Sequence, residues 1–145
     1  MYNRRMMSLS HKQKSAVKKL AKKYKIELML AFGSQVTGKT HKNSDLDIAI
    51  LPHEKESGIK YFSDLTAELS EIFDDKEIDL SFINMADPLL LSNICKKPLL
   101  LYGNIRKLYN LKIYSFKRFE DYKPYFSIES NFLDKYLKGL SHAGR

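Results

Sequence analysis

The sequence predicts an α+β domain built around a mixed β-sheet flanked by helices. Two observations carry that expectation. Four short apolar runs of strand character punctuate the chain, and most of what separates them repeats apolar residues at helical spacing. At 145 residues and 43% hydrophobic content, the chain suits a single domain spanning 1–145 with its own core. We expect the core over about 10–103 and a helical C-terminal extension over about 104–140.

Taken in order, Ser10 can cap a helix over roughly 11–24, with Val17, Leu20, Ala21 and Tyr24 as its apolar stripe. Glu27 to Phe32, "ELMLAF", reads as a buried strand, and Leu46 to Leu51 as a second. A polar loop, "HEKESG", precedes Ile59, Phe62, Leu65, Leu69, Ile72 and Phe73 at helical spacing, with Asp64, Glu68 and Glu71 forming a solvated acidic stripe on the other face. Ile78 to Ile83 is the third strand. Asp87-Pro88 is an N-cap and first-turn pair, so "PLLLSNICK" should be a short helix before a fourth strand at Leu99 to Tyr102. Gly103-Asn104 turns the chain into a mainly helical C-terminal segment, with an interruption expected at Pro124.

Several classes fall away on composition. The longest apolar runs, such as Leu99 to Tyr102, are far below the ~20 residues of a membrane span. Met1 to Ser10 carries Arg4 and Arg5 without a following apolar region, so a cytoplasmic protein with no membrane partner is expected. Cys95 is the only cysteine, which excludes an internal disulfide and suits a small buried hydrophobe. His11, His41, His53 and His142 lack metal-ligand spacing. The net charge of +8 belongs to the N-terminus: residues 1–25 hold nine Lys or Arg and no acid, against 16 basic and 17 acidic residues in the remaining 120. A solvated lysine face and a docking surface for an acidic protein or RNA both fit that pattern.

One stretch fits two phosphate-handling patterns. "GSQVTGKT", Gly33 to Thr40, matches the P-loop signature G-x-x-x-x-G-K-[ST]. A P-loop, however, needs a long helix that crosses back to a parallel strand. Only twelve residues with no apolar face connect Gly33 to Ser44. The second pattern is Gly33-Ser34, ten residues, then Asp45-Leu46-Asp47. A glycine at the strand end permits a sharp turn and close approach of backbone to phosphate, and a short helical turn over 34–38 would aim its free amides at the same anion. Asp45 and Asp47, roughly 6.6 Å apart along a strand, leave one face while Leu46, Ile48 and Ile50 leave the other. Two hard carboxylates beside phosphate oxygens make a donor set suited to a pair of Mg²⁺ ions. Asp79 alternates with Ile78, Leu80 and Phe82, an acid whose unpaired burial would be costly and which metal binding or general-base work would explain. Glu77 shares its parity but lies at the strand's beginning and ranks second.

Gly33-Ser34, the ten-residue spacing, Asp45-x-Asp47 and Asp79 together resemble the active-site signature of the DNA polymerase beta nucleotidyltransferase superfamily, and in particular its small minimal nucleotidyltransferase (MNT) antitoxins. The likeness covers roughly residues 10–103, and "DLSFINMADPLLLSNICKKPLLLYG" extends it less specifically. The resemblance implies the nucleotidyltransferase fold, ATP as substrate, two Mg²⁺, and as partner a HEPN-domain RNase toxin that the antitoxin blocks by transferring AMP to a tyrosine. By the same resemblance Gly33 and Ser34 hold the triphosphate, Asp45 and Asp47 bind the metals, and Asp79 helps bind metal and activates the incoming hydroxyl. A hetero-oligomer with the toxin is expected.

Two alternatives stay open at this level. One is a nucleotidyltransferase for a small molecule or an RNA 3′ end, and the other a binding module that neutralises its partner without chemistry. The C-terminal aromatics, among them Tyr109, Phe116, Phe119, Tyr122, Phe126, Phe132 and Tyr136, fit core packing, a partner surface or base stacking on RNA.

Overall fold

A computed structural model describes residues 7–38, 44–53 and 58–143. The element order is α1 (His11–Lys23), β1 (Ile26–Phe32), α2 (Ser34–Thr37), β2 (Leu46–Pro52), α3 (Ile59–Ile72), β3 (Ile78–Phe82), a 3-10 turn (Ile83–Met85), α4 (Pro88–Lys96), β4 (Leu99–Tyr102) and α5 (Ile105–Ala143). The start signals act as expected. Ser10 and Gln13 close a capping box on α1, each side chain taking the other's backbone N–H, and Asp87 accepts from Leu90 N at 2.8 Å ahead of Pro88.

The four strands run in the order β3-β2-β1-β4. β1 is antiparallel to both β2 and β4, whereas β2 and β3 are parallel and joined through α3. The sheet is therefore mixed, and the antiparallel β1–β2 pairing excludes a P-loop, whose two strands must be parallel. Residues 39–43, including the P-loop's Lys39, lie outside the described residues. Strand periodicity divides the core between two faces. Met29, Ala31, Ile48, Ile50 and Leu80 meet Val17, Leu20, Leu65 and Leu69 of α1 and α3. Leu28, Leu30, Phe32 and Ala49 meet Leu91, Ile94 and Leu108 of α4 and α5. Among the described residues no helix is long and apolar enough to cross a membrane.

Four expectations need correction. Ile59 (90% exposed) and Phe62 (40%) lie off the buried stripe of α3: its first turn meets only the rim of the sheet, where the Tyr61 and Phe62 rings lie 6.4 and 6.2 Å from that of Phe82, and full burial begins at Leu65. The acidic stripe of α3 is not simply solvated: Glu68 accepts from Lys23 Nζ and from the Tyr24 hydroxyl, both at 2.6 Å. That contact and burial push the Tyr24 phenol well above its usual range, with burial the larger cause. Pro124 does not interrupt the C-terminal segment, which is one helix of 39 residues; proline forfeits one backbone hydrogen bond, and the turns on either side hold the rest. The third strand ends at Phe82, with Ile83 opening the 3-10 turn. Cys95 is half-buried beside the α4–α5 cluster.

Candidate active site

The signature residues gather at one end of the sheet, where β1 ends and β2 and β3 begin. Gly33 follows β1 with φ 77° and ψ −156°, a conformation available almost only to glycine. The turn carries the chain directly into α2, which is a single helical turn: Thr37 N donates to the Gly33 carbonyl at 3.2 Å. The short turn expected over 34–38 is thus present, ending in a left-handed Gly38. Gly33 also presses on the acidic residues, since a Cβ placed there would overlap Asp47 Oδ2. Glycine is required twice at this position, once by backbone angle and once by space. Ser34, half-buried, opens the helical turn beside it.

Asp47 is half-buried on β2, paired with Phe32 of β1 on one side and with Asp79 of β3 on the other. Registered partners in a parallel pair share a face, so Asp47 and Asp79 stand side by side, with Asp45 two residues earlier. Leu46, Ile48 and Leu80 go to the opposite face, as parity demands. Asp79 is exposed, not buried, because β3 is the edge strand; its cost-of-burial rationale therefore falls, while its alignment with Asp47 stands. Glu77 precedes β3 and serves through its backbone, its carbonyl accepting from Leu46 N at 2.9 Å.

Three carboxylates share this end of the sheet closely enough for their charges to be felt at Asp47. The Asp47 carboxyl is held above its usual range by burial first, then by the negative charges of Asp79 and Asp45. The second of these causes, the crowding of negative charge, also attracts cations. Among the described residues no three acidic, histidine or cysteine side chains form a ready metal cluster. The fit to Mg²⁺ rests instead on hard oxygen donors, excess negative charge, and the backbone room that Gly33 leaves beside Asp47.

A supporting network escaped sequence reasoning. Gln35 of α2 donates through Nε2 to the Ser44 carbonyl at 2.7 Å and to its hydroxyl at 2.8 Å, and Lys76 Nζ donates to Gln35 Oε1 at 3.2 Å. One amide thereby ties α2 to the residue before Asp45 and to the turn leading into Asp79. No local signal announces it, because the Gln35–Lys76 contact joins residues 41 apart.

Solved toxin–antitoxin structures contain chains of the same fold. One, crystallised with AMP-PNP, matches at 21% identity over 86% of this chain and 98% of that one, with a TM-score of 0.67. A MntA–HepT toxin–antitoxin matches at 20% identity over 86% and 97%, with a TM-score of 0.63. A third, a tri-AMPylated Shewanella oneidensis HEPN toxin in complex with its MNT antitoxin, matches at 18% over 86% and 96%, with a TM-score of 0.62. At these identities the likeness is one of fold. No curated protein sequence matches the chain significantly. The family described as polymerase beta, nucleotidyltransferase matches residues 15–107, well over half of the chain and inclusive of Gly33, Ser34, Asp45, Asp47 and Asp79, so the chain belongs to the polymerase beta nucleotidyltransferase family.

Proposed function

We propose that this chain is an antitoxin that transfers AMP from ATP to a tyrosine hydroxyl of a HEPN-domain toxin and neutralises it by that modification. The observation that carries the reading is the glycine turn closed onto Asp47, with Asp79 in register beside it and Asp45 one strand repeat away. Relatives of the same fold that occur as toxin–antitoxin complexes, one with AMP-PNP and one with an AMPylated toxin, supply the partner and the nucleotide.

In this mechanism the Gly33 turn lets backbone approach the triphosphate, and the Ser34 hydroxyl donates to one of its oxygens. Asp45, Asp47 and Asp79 would hold two Mg²⁺, whose charge would offset that of the triphosphate and of the departing pyrophosphate. Asp79, exposed on the edge strand, is open to an incoming protein hydroxyl and accepts its proton as the oxygen attacks the α-phosphorus. The bond to the β-phosphate breaks, pyrophosphate leaves, and no covalent enzyme intermediate forms.

The test is intact mass of a HEPN-domain toxin from the same genome, after co-expression with this chain. Gains of about 329 Da per AMP support the enzyme. An unmodified toxin that is still bound and silenced would replace it with stoichiometric neutralisation. An unmodified and unbound toxin would leave an RNA end or a small molecule as the acceptor.

A further inference from the structure

We propose that the C-terminal half of α5 is the toxin's docking helix, received on an apolar surface of the toxin that presents a basic side chain to Glu129. The proposal rests on the toxin partnership above and adds the surface through which it occurs.

The N-terminal part of α5 is bound to the body. Leu108 is buried against α4, Leu111 packs beside it, Ser115 is buried, and Arg118 Nη1 donates to the Ala86 carbonyl at 3.4 Å. From Phe119 to Ser141 no residue of α5 is buried, and the helix continues to Ala143, a length of about 36 Å at 1.5 Å per residue. A lone solvated helix has no reason to keep an apolar stripe, and this one does. At about 100° per residue, Tyr122, Phe126, Leu133, Tyr136 and Leu140 continue the same stripe that Leu108, Leu111 and Ser115 turn toward α4. Leu133, Tyr136 and Leu140 are each more than half exposed. The seam that seats α5 on its own domain therefore runs on with nothing of this chain to cover it, among the described residues.

Charge decides the occupant. Glu129 falls in the middle of the stripe, and its neighbours one turn away are Tyr125, Phe126, Phe132 and Leu133, none of them basic. Lys123, Lys135 and Lys138 lie about a third of a turn or more from it. A second copy of this chain is thereby disfavoured. Parallel pairing sets Glu129 against its own counterpart, and antiparallel pairing over the free half sets the two carboxylates about one turn apart, ~6 Å, with no cation on either stripe. A different protein that brings the missing cation satisfies both the apolar stripe and the buried carboxylate.

The experiment uses the full chain and the purified HEPN-domain toxin used in the mass test above, without nucleotide so that no transfer occurs. Affinity is read by calorimetry and mass in solution by light scattering. Leu133→Arg and Glu129→Arg should each weaken toxin binding by about 30-fold or more, while Asn131→Arg on the polar face changes it less than about threefold. ATP binding should be unaffected in all three variants, whose sites lie off the folded body. Toxin binding by both Leu133→Arg and Glu129→Arg as tight as that of the unsubstituted chain overturns the docking helix and leaves the proposed function standing. A chain that is dimeric alone and becomes monomeric on Leu133→Arg overturns it in favour of a second copy. Absence of any toxin binding by the unsubstituted chain overturns the docking helix, and the proposed function falls with it only where the co-expressed toxin also gains no mass.

Discussion

Gly33→Ala tests the link between backbone and chemistry most directly. Alanine at φ 77°, ψ −156° occupies a region essentially reserved for glycine, at a cost of about 2 kcal/mol. Its Cβ would also overlap Asp47 Oδ2, and because that atom ends a flexible side chain, the carboxylate swings away at a further ~1 kcal/mol of rotamer strain. A total near 3 kcal/mol lowers the melting temperature of a domain this size by roughly 6–12 °C. Transfer should fall more steeply than stability, by about 100-fold at a temperature where the variant is still folded, because the displaced carboxylate is a metal ligand in the proposed mechanism. The assay pairs thermal denaturation with intact-mass measurement of AMP on the toxin. Gly139→Ala is the control: its Cβ meets open space in a helix, so no melting loss is expected. In an Asp47→Ala background the steric share should vanish and only the backbone share of the Gly33→Ala penalty persist. A Gly33→Ala variant that melts within about 1 °C of the parent and transfers AMP at the parent's rate would refute the reasoning.

Asp47→Asn should reduce transfer by about 1000-fold or more while the fold survives. It should also melt slightly higher, by no more than ~2–3 °C, since solvent screens much of the repulsion it removes. The sign follows from the raised carboxyl: the fold disfavours the ionised form, so the penalty is full above the raised value and disappears as pH falls below the ordinary 3.8. The melting gain should accordingly be present at neutral pH and vanish in acid; a gain that grows in acid contradicts the assignment. Gln35→Ala should cost about 1 kcal/mol of stability and about tenfold in transfer through a looser Asp45, and rescue by Gln35→Asn, too short to span both partners, would be evidence against the tether. Lys39→Ala should leave most transfer intact, whereas a loss matching that of Asp47→Asn would show a phosphate-binding role for that lysine.

What the sequence by itself determined is whatever depends on near neighbours along the chain. Ser10 with Gln13 and Asp87 with Pro88 set helix starts through contacts three residues apart or closer. Asp47 was bound to leave the face opposite Leu46, Ile48 and Ile50 once Leu46 to Leu51 formed a strand, because pleating has a period of two. Even the failure of the P-loop was legible, since twelve residues with no apolar face cannot supply a packed crossover helix. Tertiary structure alone decided which strand lies beside which. The Asp47–Asp79 register, the press of Gly33 on Asp47, the Gln35 tether to Lys76 and the Lys23–Glu68 pair, 45 residues apart, follow from burying both sheet faces at once. Pattern placed Ile59 and Phe62 on the apolar stripe of α3, and only the packing of α3 on the sheet left Ile59 in solvent and Phe62 at the rim against Phe82, with full burial starting at Leu65. Local periodicity names the face of each element; only the summed packing of all elements selects which faces meet.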